Sequence, residues 1–411
     1  YLLGRDLFMK NLPNGWKKVE LSEILESIEN GNRPKGGITD LKDGIPSIGG
    51  EHINSTGGFN LKNIRFIPYD FYFSMKRGKI QKEDVLVVKD GATTGKVSFV
   101  GGDFPYEDAA VNEHVFILRG KKDLVHQQFL FYHLYSPIGQ RQMDANFHGA
   151  AIGGINTQFV KNYNLVLPPL PTQKKIAAVL EKAEKLREWR KEADGLTDRF
   201  LKSTFLEMFG DPATNPKGWE IIELKTEIKD IRYGTGSPPE YNKEGIPFIR
   251  ATNIKNGTVE KKGLVYISKE EASKIQKCKV KTGDLILVRS GVNTGDCARI
   301  PPDYDGAYAA YDLIIQIPYP KNYYYNFIIN SDYGKSVIEP LSRRAAQPHI
   351  NAVQVKSLQF QLPPLQRLEK FASIVQQVEQ IRAHQTQSGQ HIENFFNVLM
   401  QRAFRGELEA K

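Results

Sequence analysis

Residues Leu167–Gly210 read LPPLPTQKKIAAVLEKAEKLREWRKEADGLTDRFLKSTFLEMFG. The opening prolines end whatever precedes them. About forty residues then follow with a single internal glycine, Gly195. Apolar or small residues recur at 3–4 spacing (Ile176, Val179, Ala183, Leu186, Ala193 and Phe200), with charged residues between them. That pattern predicts a long helix with a seam for a partner helix. The partner lies in the same chain. LPPLQRLEKFASIVQQVEQIRAHQ starts at Leu362, 195 residues later, and puts Phe371, Ile374, Val378, Ile381, Ser388 and Phe395 at the matching seam positions. Polar Arg190 and Gln385 in the seam fit a register-setting role, or a solvated point where the helices splay.

The rest of the chain repeats as well. Asn14-Gly15-Trp16 returns as Lys217-Gly218-Trp219, and Gly44-Ile45-Pro46 as Gly245-Ile246-Pro247. DVLVVKDGATTG from Asp84 returns as DLILVRSGVNTG from Asp284, and Ala109-Ala110 as Ala309-Ala310. Ser136-Pro-Ile-Gly139 is matched by Ser331-Asp-Tyr-Gly334, and Ile155-Asn156 by Ile350-Asn351. The offset drifts from 203 to 195, as loops gaining or losing residues would produce. Each repeat opens with short β-branched runs punctuated by Gly, Pro, Asn and Asp, continues through a helical segment and ends in the long helix. The predicted fold is α+β. It has duplicated, mainly-β globular domains at 1–162 and 212–357, and helical segments at 163–211 and 358–411. The helices form an intramolecular antiparallel coiled coil with an internal pseudo-two-fold.

The 411 residues are too many for one ordinary core. At 40% hydrophobic and 25% charged the chain is globular. A net charge of +9 favours a polyanionic partner, nucleic acid before membrane. The two cysteines, Cys278 and Cys297, have no counterparts in the first repeat, which argues against a metal or disulfide framework and for a reducing cytoplasm. YLLGRDLFMKNLPNGW carries charges inside its apolar run and reads as no signal peptide. No apolar run reaches the ~20 residues that span a bilayer.

A 40-residue helix is ~60 Å long. Antiparallel pairing would hold two related domains at a fixed separation, a length near two turns of DNA at ~34–36 Å each. Two domains on a ruler fit the reading of two half-sites on one duplex.

These residues resemble the specificity (S) subunits of type I restriction–modification enzymes. The resemblance rests on the GW-x-x-x-x-L openings (Gly15, Trp16, Leu21; Gly218, Trp219, Leu224), the DVLVVKDGATTG and DLILVRSGVNTG segments, the two LPPL-helix units, and the MFGDP…GW junction at Met208–Trp219. It implies two target recognition domains, each reading half of a split, asymmetric DNA site, and helices that space them and dock two modification (M) subunits. S-adenosylmethionine would sit on the M subunits, leaving this chain without cofactor or catalysis, and restriction (R) subunits would join for translocation and cleavage. A stand-alone adenine methyltransferase or nuclease is the second reading, and a coiled-coil adaptor that never meets DNA the third.

Candidate contacts follow from the repeat. The first glycine turn presents Lys89, Thr93, Thr94 and Lys96, and the second Arg289, Ser290, Asn293 and Thr294. Small polar and cationic side chains on a tight turn suit phosphates and base edges, although such residues also satisfy a plain hairpin. The turn is no P-loop, which needs four residues between its glycines and then Lys-Ser/Thr. Here there are three, Val97 follows Lys96, and Asp296 replaces the lysine in the second copy. The loops at His148 and at Arg343, Arg344 and Gln347 differ in sequence while their surroundings match, as two different half-sites would require and as neutral loop drift would also produce. Arg pairs bidentately with guanine or phosphate, and Gln347 is suited to adenine. Ser237-Pro-Pro-Glu-Tyr241 approximates an adenine-methyltransferase motif with one residue too many, and reads as a loop.

Overall fold

The computed structural model describes residues 12–34, 37, 41–148, 153–342 and 348–408. The chain forms two compact units, 1–191 with 387–411, and 192–386. Each unit holds one globular module and half of each long helix. The helices run Leu170–Phe209 and Leu365–Phe404, inside the segments assigned to them from sequence. The strands Asn164–Leu167 and Gln359–Leu362 that precede them close the modules by pairing with Lys17–Glu20 and Glu220–Glu223.

The first module is built on a four-stranded antiparallel sheet in the order Leu25–Asn30, Val115–Gly120, Val85–Val88, Val97–Phe99. The second repeats it with Asp230–Tyr233, Leu313–Gln316, Leu285–Leu287 and Cys297–Arg299. Both also carry a three-stranded sheet in which a central strand (Ile45–Ile48 or Ile246–Ile249) pairs antiparallel on one side and parallel on the other. The continuous apolar runs VLVV and LIL are explained by burial on both faces. Val85 and Val87 join the helix-side core, while Leu86 and Val88 face the other core. Leu285 and Leu287 against Ile286 and Val288 repeat the split.

Two repeated motifs are structural. Asp84 and Asp284 cap the preceding turns through Gln81 N (2.8 Å) and Lys281 N (3.0 Å). Burial raises both carboxyls, and an arginine compensates each: Arg119 at 2.7 Å in one module, Arg232 at 3.4 Å in the other. In Ser136–Gly139 and Ser331–Gly334 the serine hydroxyl accepts from the glycine N–H, starting a new helix. A Cβ on Gly139 or Gly334 would lie 2.1 or 2.2 Å from the carbonyl oxygen of His133 or Ile328, so only glycine permits this helix crossing.

The seam departs from its sequence reading. In the first unit Ile176, Ala177, Leu180 and Ala183 share one core with Phe396, Met400, Ala403 and Phe404, and with module residues such as Phe129. In the second, Phe205, Met208 and Phe209 share a core with Leu368 and Phe371. Each unit thus joins the start of one helix to the end of the other, which is antiparallel pairing. The inward stripe runs through 173, 176, 180, 183, 187, 190, 197, 201, 204 and 208, and through positions 195 residues on in the second helix. Ile176, Ala183, Phe371 and Val378 lie on it, and Ile374 is half-buried. Val179, Leu186, Phe200, Ile381 and Phe395 are 40–52% exposed and lie outside it. The apolar residues drew the sequence reading one position outward, because the seam's middle is polar. There Arg187 donates to Glu393 (2.8 and 3.2 Å) in the first unit, and Arg382 pairs with Asp198 in the second. The two pairs are one interaction repeated, since 187 and 198 advanced by 195 give 382 and 393. Gln385 reaches Thr197 Oγ1 at 2.9 Å.

Candidate nucleic-acid interface

The two glycine turns share one hydrogen-bond pattern. Gly95 N donates to Val88 O and Gly295 N to Val288 O, both at 2.8 Å. Thr94 and Thr294 return their hydroxyls to Gly91 O and Gly291 O at 2.7 and 2.6 Å. Gly91, Gly95, Gly291 and Gly295 all have φ of +84 to +91°, where a side chain would be strained. Glycine therefore recurs at these positions while the residues between are free to vary. The threonine hydroxyls spend their donors inside the turn, which leaves them a structural task beside the contact role expected of them. Thr93 likewise donates to Gly50 O at 3.2 Å.

Around the second turn the side chains converge on Arg289. Its guanidinium lies 4.6 Å from the Tyr233 ring centroid and 4.3 Å from that of Tyr311. Nη2 is 2.7 Å from His349 Nε2. Asp312, 3% exposed, accepts from Arg289 N at 3.2 Å. Burial pushes its carboxyl up to about 6, against the lowering by that N–H and the nearby guanidinium. Ser290 bridges to His349, and Thr294 Oγ1 lies 3.3 Å from Pro348 O. Val292, at the tip, is 100% exposed.

The first turn sits among ion pairs instead. Lys89 Nζ lies 3.4 Å from Asp90 Oδ2 and 5.9 Å from the Phe116 ring centroid. Asp90 also meets His114 Nδ1, and Arg33 reaches Glu113 at 2.7 Å and His114 Nε2 at 3.4 Å. His148, exposed, is brought beside the turn because Gly154 bridges both to it and to Asp90. Lys96 faces Gln140, whose Nε2 donates to Gly95 O. In the second module Asp296 stands for Lys96 and pairs with Lys335, the counterpart of Gln140.

The structure thus groups Lys89, Thr93, Thr94, Lys96 and His148 in one module, and Arg289, Ser290, Asn293 and Thr294 in the other. Arg343, Arg344 and Gln347 lie outside the described residues. Sequence reasoning missed Tyr233, Tyr311, His349, Arg33 and His114, which come from separated segments; only the strand order brings them together. Among the described residues no group of three or more His, Cys, Asp or Glu is placed to hold a metal ion, and no helix is long and apolar enough to cross a membrane. Cys278 and Cys297 are buried free thiols, and burial pushes Cys297 up to about 12. Tyr241 of the Ser237–Tyr241 loop lies against Phe248 and the Arg250 guanidinium.

Residues 13–193 and 216–394 each match the family described as the type I restriction modification DNA specificity domain. The chain is 19% identical over 420 residues to the type I restriction enzyme MjaVIII specificity subunit of Methanocaldococcus jannaschii, covering 97% of this chain and 94% of that protein. It is 24% identical over 438 residues to the EcoKI specificity subunit of Escherichia coli, covering 97% and 90%. Its fold is similar to that of the type I restriction-modification S subunit from M. genitalium, with a TM-score of 0.60 at 13% identity over 96% of this chain and 98% of that one. A chain from a structure of the type I R-M system, solved for its assembly and conformational transition, has a TM-score of 0.56 at 20% identity over 97% and 100%.

Proposed function

Because the chain belongs to the type I restriction modification DNA specificity family, we propose that it is the sequence-recognition subunit of such a system. Each module reads one half of a bipartite DNA site, and the chain itself catalyses nothing. The observation that carries this reading is the duplication of one turn on one sheet, set among different side chains. A shared scaffold with unlike surroundings is what two unlike half-sites call for. Lysine and arginine at the turns supply phosphate and base-edge contacts.

The helices supply the spacing and the docking surface. Each is 40 residues long, ~60 Å at 1.5 Å per residue. The off-seam positions are apolar in both units: exposed Val179, Leu186 and Phe395 in the first, and exposed Ile381 and Phe200 with half-buried Ile374 in the second. Two such sets suit two copies of one partner, the modification subunit. S-adenosylmethionine and the methylation chemistry belong to those subunits. Restriction subunits join in the full complex, which works in the cytoplasm.

The test is selection from random duplexes by the full chain with its modification subunits. Enrichment of a bipartite sequence with a fixed gap is expected, and its absence sinks the reading. Lengthening both helices by one heptad is expected to widen that gap by about three base pairs, from 1.5 Å per residue against 3.4 Å per base pair. An unchanged gap would mean that the helices are not the ruler.

A further inference from the structure

We propose that Arg289 reads a guanine in the half-site bound by the second module, and that Tyr233, Tyr311 and His349 are the positioning residues that hold it in the reading pose. The inference rests on the DNA-reading assignment above and names the base that one turn takes.

Arg289 is fixed at both ends. Its backbone N donates to Asp312 and its carbonyl accepts from Ile350 N at 2.9 Å. Its guanidinium meets two tyrosine rings and donates to His349 Nε2. The Tyr233 hydroxyl in turn accepts from Ala352 N at 3.2 Å, which anchors that ring. Burial and the neighbouring guanidinium hold His349 below the usual imidazole range, which keeps the ring neutral and Nε2 an acceptor. A free arginine must freeze several rotors on binding. Here those rotors are frozen on folding, by residues from three separate segments.

A guanidinium with rings at its faces recognises through its edge. That edge is a planar pair of N–H donors, and it matches the O6 and N7 acceptors that guanine alone displays together in the major groove. The tip of the same turn adds fully exposed Val292, an apolar group of the kind that meets a thymine methyl. The equivalent turn positions of the first module offer neither feature. Lys89 is a point charge with no fork, it lies 3.4 Å from Asp90, and Ala92 occupies the tip. An arginine fork at this turn position therefore belongs to one module only.

The probe is a duplex library with random half-sites and random gaps, presented to the full chain with its modification subunits. The wild type is expected to enrich a bipartite site with guanine at one position of one half. Arg289→Lys keeps the charge but loses the fork, and is expected to reduce preference at that position roughly 10- to 100-fold. The remaining positions of both half-sites should stay unchanged. Tyr311→Leu should weaken the same position by less, and Tyr311→Phe should leave it intact. A uniform loss across all sequences with a shallower salt dependence would mean that Arg289 holds a phosphate, and the inference falls. It falls too if the Arg289→Lys preferences are unaltered, or if the wild-type half-site lacks guanine. A wild type that enriches no bipartite sequence overturns the DNA-reading assignment itself, and this inference with it.

Discussion

In the first unit Phe404, near the end of the second helix, packs its ring against Phe129 and His133 at 5.5 and 4.9 Å. The counterpart of Phe404 in the second unit is Phe209, which meets Tyr324 at 5.0 Å and Phe371 at 5.3 Å. Tyr324 corresponds to Phe129, but Ile328 replaces His133 and Ile176 replaces Phe371. The slot is filled in both units, by different groups. What the two copies share is geometry: helix crossings at glycine, capped turns, a sheet buried on both faces. What they do not share is the chemistry that fills the geometry, and there their energetics diverge.

The largest divergence is expected from the aromatic cluster of the second unit. Phe371 is fully buried among Phe205, Phe209 and Phe327. Phe371→Ala should destabilise that unit by about 3–5 kcal/mol, and Ile176→Ala should cost the first unit less, within the ~2–5 kcal/mol of aliphatic truncations. Hydrogen exchange followed unit by unit measures both, because two compact units need not unfold as one. Equal losses would remove the distinction.

Acid should act in opposite directions through one buried group in each unit. His133 is fully buried beside the Tyr163 hydroxyl, and burial lowers it from 6.5 to about 4. The unfolded chain takes the proton first, so the first unit loses stability as pH falls from 6.5 to 4, by about 3 kcal/mol. Asp312 behaves in reverse. Burial raises it from 3.8 to about 6, so the folded second unit takes the proton first and gains a similar ~3 kcal/mol as pH falls from 6 towards 4. Burial raises Asp84 and Asp284 as well, in the same direction in both units. Urea unfolding at pH 7 and 4.5, with a probe in each unit, checks the drift. His133→Leu should flatten the first response and Asp312→Asn the second. Parallel drift in the wild type would refute the assignment.

The smallest difference lies in the repeated ion pair of the helices. Arg187 meets Glu393 and Glu184 and stacks 4.5 Å from the Phe396 ring centroid. Arg382 pairs with Asp198, which is 71% exposed. Arg187→Ala is expected to cost about 1–2 kcal/mol through lost packing and charge, and Arg382→Ala less than about 0.5 kcal/mol. Denaturant midpoints of the two variants decide it, and equal costs would make the pairs equivalent in energy as well as position.

The duplication was readable in the sequence because it rests on residues with no substitutes. Gly139, Gly334 and the turn glycines are held by close approach or positive φ, so they recur in the same order in both repeats. The helices were readable from their proline borders and length. Their seam was misread by one position, because Val179, Leu186 and Phe200 are more apolar than the Arg187 and Arg190 that point inward. The Arg289 cluster was legible only in part. Arg289 stood out on its turn, but its partners lie at 233, 311 and 349 and carry no local signal. Proximity produced by strand order leaves no mark on spacing.

Each unit is closed by halves of both long helices, and this bears on how the protein emerges from the ribosome. The first module is synthesised early, yet Phe404, which packs on Phe129 and His133, lies near the end of the last helix, with Phe396 and Met400 of the same core. Some two hundred residues of second module and helix must be made before that apolar groove is filled. Loop closure over such a length costs only slowly rising entropy, but the exposed groove is an aggregation risk for as long as it waits. The second module waits less. Phe205 and Phe209 are already in place when it forms, and Leu368 and Phe371 follow directly after its last strand. The unit that is made first is therefore the one that is finished last.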